Sequence, residues 1–384
     1  MDSKTYYEFG YEVFGSALLG FSRWLEQSFQ KKQYRKIFFL ARDGYLMESA
    51  FRLRKSAETY ETEYVYFSRK SIRQALFWKC GSYEETLKYM PGSRFLSLGA
   101  ILDFYGFSIG EQEELIKEFQ LDSKKDYVVS ELKENPVIAE LFEKIKGRIL
   151  TNSKKQYEIL IQYFKQIGMQ GTCAIVDIGW LGNMQFYLEE FIRISQLEVD
   201  LDGYYFGIQP TTKISGKAYG YMFSPEDMHL RKHVLCFFGI CERLFQSTEG
   251  STKGYALQGD RVVPIKDKYE YAQDETLAEY IVAMQKGALD FVEQNPDCVK
   301  KDKELVSKFL RFGKSPTLKQ LKLFRGFYNT DGTKLYYLPQ KSVFMFRMGE
   351  LLHGLSNSTW KTGYMKSLCK IPFPYYWIYC LVRK

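Results

Sequence analysis

Apolar positions in the first 210 residues alternate between two rhythms: short unbroken runs, and stretches in which they recur every three or four residues. The runs are Ile37–Leu40, Glu63–Phe67 (EYVYF), the stretch TCAIV that leads into Asp177, and Leu201–Ile208 (LDGYYFGI). Runs of this length bounded by polar turns read as buried strands, and the spaced stretches as amphipathic helices. Helices are predicted over Tyr6–Gln30, from about Tyr45, from Lys70 through Ile72 and Leu76, and from about Asn183. Strand, turn and helix thus recur three times, at Ile37, Glu63 and Thr172.

The rhythm changes between Gly81 and Lys165, where short apolar stripes sit in a charged, helical pattern, with a further helix starting at Asn135-Pro136. Lys217–Phe223 (KAYGYMF) reads as another strand, and Cys241–Tyr255 contains a notable polar turn. Helices return over Tyr269–Phe312 and Lys314–Tyr328. From these patterns the fold is expected to be α/β, with a mainly parallel sheet over residues 1–210 interrupted at about 81–165 by a helical insertion. A mixed α+β to helical region over 211–384 ends in an aromatic, basic tail, KTGYMKSLCKIPFPYYWIYCLVRK.

Composition narrows the class. Of 384 residues 45% are hydrophobic, enough for a sizeable core, and the 30 Tyr and 30 Phe mostly fall at core spacing. The formal charge of +8 is scattered, with no run that reads as a nucleic-acid tail; it suits phosphorylated ligands or an anionic membrane surface. Seven Cys form no CxxC pair, the start of the chain lacks a signal peptide's apolar region, and no stretch reaches the length of a membrane span. The expected compartment is a reducing cytoplasm. The tail suits either peripheral contact with the inner face of the membrane, because Trp and Tyr favour the interface and Lys and Arg attract anionic lipid, or docking on the core.

The chemistry gathers at the ends of the predicted strands. In an open parallel sheet these ends share one edge, so Arg42, Asp43, Ser68, Arg69, Lys70 and Asp177 are expected to converge on one crevice. Asp177 precedes a turn with Gly179 and Gly182, then Asn183 and Gln185 in a helix's first turn. This grammar serves an anion or metal through free N–H groups, and equally serves a capping Asp at a strand–helix junction. Arg42-Asp43-Gly44 reads either as phosphate binding by Arg42 and the neighbouring amides with Asp43 accepting a proton or holding a sugar hydroxyl, or as a structural salt link. Ser68-Arg69-Lys70 is a phosphate-binding candidate or a solvated helix start, and Glu242 and Glu249 belong to an acceptor site or face water. The three His have no partner at ligand spacing, and no GxSxG, P-loop or HExxH motif is present.

The stretches YEVFGSALLGFSRWL, KIFFLARDGYLM, YVYFSRKSIRQALF, AIVDIGWLGNMQ and CERLFQSTEGSTKGY resemble the portion that accompanies a haloacid-dehalogenase-like (HAD) domain in predicted hydrolases of bacterial capsule and O-antigen clusters. The DxDx[TV] nucleophile motif of such phosphatases is missing, since Asp43 is followed by Gly-Tyr and Asp177 by Ile-Gly. The resemblance therefore implies that a HAD phosphatase partner is a separate polypeptide. The order of the three units is also similar to a type I phosphoribosyltransferase. That likeness implies pyrophosphate at Ala41–Gly44, Arg69 and Lys70 against departing charge, and Asp177 on the ribose hydroxyls and as the Mg²⁺ ligand. Gly179, Trp180, Gly182, Asn183 and Gln185 would lie around the 5-phosphate. Ile178 stands where that family has its second acid, and Leu181-Gly182-Asn183 where it has Thr-Thr-Gly.

The expected function is a glycan-modifying transferase of surface polysaccharide synthesis that uses a phosphorylated sugar donor, with phosphoribosyl diphosphate the specific expectation and a lipid-linked or growing glycan the acceptor. Asp43, Asp177 and Glu242 are the expected catalytic residues, with Asp43 or Glu242 taking the acceptor's proton. The alternatives are a HAD-like phosphatase or hydrolase of the same pathway and a non-catalytic scaffold for glycan enzymes.

Overall fold

The computed structural model describes residues 2–90, 95–123, 125–331, 333–342, 345 and 347–382. The chain opens with α1 (Ser3–Phe9), a π-helical stretch over Gly10–Phe14, and α2 (Gly15–Phe29), followed by β1 (Lys36–Leu40), α3 (Gly44–Arg52) and β2 (Thr62–Val65). Then come α4 (Arg69–Leu76), α5 (Tyr83–Leu87), β3 (Phe95–Ser97), α6 (Leu98–Phe104), α7 (Ile109–Glu118), β4 (Asp126–Val128) and α8 (Pro136–Gln166). The central unit is β5 (Gly171–Trp180), α9 (Asn183–Ile194), β6 (Val199–Ile208) and β7 (Ala218–Gly220). The remainder comprises α10 (Arg231–Leu235), α11 (Phe238–Phe245), β8 (Thr252–Gln258), β9 (Arg261–Lys266), α12 (Glu275–Gln294), α13 (Asp302–Lys314) and α14 (Leu318–Leu323). After β10 (Tyr328–Asp331) and β11 (Thr333–Tyr336), the chain closes with α15 (Met348–Asn357), α16 (Lys361–Cys369) and α17 (Tyr375–Val382).

Five strands form one all-parallel sheet in the order β2-β1-β5-β6-β7. Alternation along each strand feeds two cores. Ile37 and Phe39 of β1 with Ala174, Val176 and Ile178 of β5 join the core of α2, α3, α11, α12 and α13. Phe38, Leu40, Cys173 and Ile175 join that of α4, α8 and α9. Helices on both faces explain why these strands are apolar without a break. The first core draws in residues from the start of the chain and from its second half, and there α1 and α12 press backbone to backbone. A Cβ on Gly10 would stand 1.9 Å from the Met284 carbonyl oxygen, and one on Gly287 2.1 Å from that of Tyr7.

From β1 the chain crosses to β2 on one side, returns past β1 to β5, and continues to β6 and β7 on the other side. The strand order therefore reverses between β1 and β5. Outside the carboxyl ends of strands at such a point an open parallel sheet leaves a crevice.

Several elements differ from the sequence expectation. The central strand does not end at Asp177 but runs on to Trp180, because β6 continues beside it as far as Ile208. The second strand stops at Val65, and of Lys217–Phe223 only Ala218–Gly220 is strand. The Tyr6–Gln30 helix is interrupted by its π-helical stretch. The turn within Cys241–Tyr255 lies between the end of α11 and β8, which is half of an antiparallel hairpin with β9. The helical insertion also carries a short antiparallel pair, β3–β4. Its long helix starts as expected, Asn135 accepting from the Ile138 N–H and Pro136 opening the first turn. Arg383 and Lys384 of the tail lie outside the described residues.

Candidate functional site

Three helices begin where β1, β2 and β5 end, and each start has its own local chemistry. At α4, Ser68 is an N-cap in a capping box with Ser71, and its hydroxyl also donates to the Thr252 carbonyl. At α3, Asp43 stands at the cap position but makes no capping bond. At α9, Gly182 holds the cap position with φ +67° and brings no side-chain cap to the helix's first N–H groups. Three positive dipole ends thus face one edge of the sheet.

The path from β5 to α9 depends on Gly179, whose φ is +98° and which pairs with Gly207 of β6. A Cβ there would sit 2.5 Å from the Gly207 carbonyl oxygen. Trp180 follows, also with positive φ (68°), stacks on Phe223, and donates its indole N–H to Glu242 at 2.8 Å. Glu242 is thereby turned from α11 toward the strand that carries Asp177.

Three carboxyls meet here, from the β1–α3 turn, the end of β5 and α11. Asp43 feels the charge of both others and Asp177 that of Glu242, and each of the three is raised above the usual carboxylate range. Burial pushes Asp177 up to about 6; the Ile178 N–H and Arg69 pull it back, and Glu242 adds to the rise. Burial likewise lifts Asp43 well above the ordinary value, reinforced by Asp177 and Glu242 and opposed by Arg42 and Gln246. The Oδ1 atom of Asp43 is sealed from solvent without a hydrogen-bond partner. Glu242 is raised by burial against the pull of Trp180, Arg69, Arg243 and Arg42. Carboxyls displaced upward in this way keep their protons to higher pH than free ones, and one raised to about 6 is equipped to take or give a proton.

Around the acids the cations divide into two sets. Arg69, at the first turn of α4, is exposed, and its charge acts on both Asp177 and Glu242. Arg42 and Arg243, the chain neighbours of Asp43 and Glu242, both turn to Glu270. Arg42 makes a two-pronged contact with that carboxylate and also reaches the Glu249 carbonyl. Arg243, 1% exposed, binds Glu270 at 3.0 Å, lies over the Tyr271 ring and reaches Asn329 and Tyr337. Against the upward pull of burial, Arg243 and Arg42 hold Glu270 down to about 2.

Of the sequence candidates, Asp43, Asp177, Glu242, Arg69, Gly179, Trp180 and Gly182 come together at this edge. Asn183 and Gln185 occupy the first turn of α9, but the Gln185 side chain is buried and fully used. Its amide donates to Glu189 and to the Leu201 and Lys217 carbonyls, and its oxygen accepts from Tyr205. Gly44 is buried in the first turn of α3. Lys70 pairs with Asp103 at 2.5 Å, and Glu249 is held by Tyr64 and Lys266. Sequence reasoning missed Glu270 and Arg243: Glu270 lies in YEYAQD, which has no motif, and its partners stand 228 and 27 positions away.

Among the described residues no group of three or more His, Cys, Asp or Glu is arranged to enclose a metal ion. Mg²⁺ asks for less, one or two carboxylates completed by water and substrate phosphate. The donors here are all carboxylate oxygens, with the Asp43 Oδ1 unpartnered, and that chemistry fits it. Comparison with known protein families and with curated proteins finds no match to this chain.

Two outcomes follow from these charges. A carboxyl raised in the folded protein binds more protons there than in the unfolded chain. Its contribution is therefore best below the unfolded value of 3.8 and is lost as pH rises through about 6. The gap in unfolding free energy between Asp177→Asn and the parent should shift toward the variant by at most about 3 kcal/mol from pH 4 to pH 7. Urea titrations across that range measure it, and a gap that does not move with pH contradicts the raised value. Glu270→Gln leaves two buried guanidinium groups without their shared counter-charge. It should cost about 3–5 kcal/mol in the same assay, and a change below about 0.5 kcal/mol would show that the network carries no such weight.

Proposed function

We propose that this crevice binds a phosphorylated sugar donor and transfers the sugar to a hydroxyl of a glycan, with phosphoribosyl diphosphate as the donor and a lipid-linked or growing glycan as the acceptor. The observation that carries the reading is the meeting of three raised carboxyls with three helix N-termini and the exposed Arg69 at the sheet's switch point. Anions are favoured at such helix starts, and a base of raised pKa suits proton removal near neutral pH.

In the transfer, the bond from the anomeric carbon to the diphosphate oxygen breaks, and its electron pair leaves with diphosphate. The acceptor oxygen forms the new bond and gives its proton to a carboxylate. Asp43 is the residue assigned to that proton, because its unpartnered, buried Oδ1 gains a hydrogen-bond donor when a hydroxyl arrives. Asp177 holds the ribose hydroxyls, and the uncapped amides of α9 receive the 5-phosphate. Arg69 meets the charge that grows on the leaving diphosphate. Glu242, held by Trp180, adds its negative charge beside both aspartates and so helps keep them raised.

Asp177, with Asp43 beside it, would hold Mg²⁺, which would supply charge neutralisation of the diphosphate and so reconcile an anionic donor with three acids. Arg42 and Ser68, committed to Glu270 and Thr252, shape the turns rather than meet the donor. The likeness to HAD-associated proteins agrees with a separate phosphatase that removes the 5-phosphate after transfer. A lipid-linked acceptor goes with a peripheral position at the inner face of the membrane.

Calorimetric titration with phosphoribosyl diphosphate and Mg²⁺ tests the assignment. Saturable binding, weakened tenfold or more in Asp177→Asn (about 1.4 kcal/mol), is expected. No heat at millimolar donor, or equal binding by the variant, would overturn it.

A further inference from the structure

The last helix has apolar residues on every side. α17 (YYWIYCLV) contains no charged residue. One side is docked: Tyr375 and Tyr379 are buried, and Tyr376 packs edge-on to His233 with the Lys314 amine over its ring. The opposite side faces solvent, with Trp377 59% and Leu381 51% exposed. Ile371 and Phe373, in the approach to the helix, are 54% and 44% exposed and extend the same apolar strip. A helix that buries one apolar face in its own protein and shows another to water marks a surface that something else covers.

Charge names the occupant. From Leu351 to Lys384 the sequence has no Asp or Glu and five Lys or Arg, at 361, 366, 370, 383 and 384. A protein partner with an acidic rim would accept these cations, but a strip of Trp, Phe, Ile and Leu has no use for one. An anionic bilayer offers both properties in one surface: headgroup charge for the cations, and an apolar boundary for the side chains with Trp at the interface. Among the described residues no helix is long and apolar enough to cross a membrane, so the contact is lateral.

We propose that α17 and the Ile371–Pro374 approach form a docking face for anionic phospholipid, with Trp377 and Leu381 entering the interface and Lys366 and Lys370 reaching headgroups. The face stands on surface chemistry alone and holds whichever reaction the carboxyl cluster performs.

Flotation of the full chain with vesicles tests it, using phosphatidylcholine alone and an equal mixture of phosphatidylcholine and phosphatidylglycerol. Binding is expected to the mixed vesicles only, to weaken with salt, and to fall tenfold or more in Trp377→Glu/Leu381→Glu, whose sites are exposed so that the fold is kept. Lys366→Glu/Lys370→Glu should weaken it several-fold while leaving the thermal unfolding midpoint in place. Failure to bind mixed vesicles, equal binding by the Trp377/Leu381 variant, or vesicle-free self-association that this variant abolishes would each overturn the proposal, the last by assigning the face to a second copy of the chain.

Discussion

Glu270 is a single carboxylate shared by two arginines, and the edge of the sheet that carries the candidate site is built on it. Arg42 comes from the turn after β1, Arg243 from α11, and Glu270 from the segment that leads into α12. Hydrogen bonds from Arg243 to Asn329 and to the Tyr328 carbonyl tie in β10 as well. A buried guanidinium is costly unless paired, so each of these segments has one position in which its charge is met. The second half of the chain is thereby fixed over the carboxyl ends of β1 and β5. Two side chains adjoining these arginines, Asp43 and Glu242, are in consequence brought to Asp177.

The arrangement costs stability. The cations nearest in sequence to Asp43 and Glu242 spend their hydrogen bonds on Glu270, which they hold at about 2, and so soften rather than cancel the rise of the other acids. Three carboxyls at a partly dry edge repel one another, and the fold tolerates this only because the arginine network and the two helical layers hold the backbone there. Strain or repulsion concentrated where ligands would bind is the usual mark of a working site.

Much of the fold was legible in the chain because its strands are buried on both faces. Unbroken apolar runs such as IFFL and the segment before Asp177 signal parallel strands, and glycines at 179 and 182 mark the turn that follows. Strand ends were less legible: whether β5 stops at Asp177 or reaches Trp180 depends on β6 lying beside it, which no local pattern records. The hairpin β8–β9 escaped notice because STKGYALQGDRVVPIK is polar and half exposed. At the site, residues adjoining apolar strands could be found from position, whereas the use of their side chains could not. Gln185 looks like a phosphate ligand in sequence, and only the packing of β6 against α9 commits its amide to Leu201, Lys217 and Tyr205. Glu270, with no motif around it, becomes visible only through its two distant partners.

The central claim is that Asp43, Asp177 and Glu242 are all displaced upward from ordinary carboxyls, with Asp43 and Asp177 responding to their acidic neighbours. Carboxyl-carbon NMR titration with labelled Asp and Glu, assigned through Asp43→Asn, Asp177→Asn and Glu242→Gln, measures this directly. The account predicts an Asp177 midpoint near 6, an Asp43 midpoint well above the ordinary carboxyl value, a downward shift of Asp43 when Asp177 or Glu242 is neutralised, and a downward shift of Asp177 when Glu242 is neutralised. Three independent midpoints near 4, the ordinary carboxyl range, unmoved by substitution of the neighbours, would contradict it.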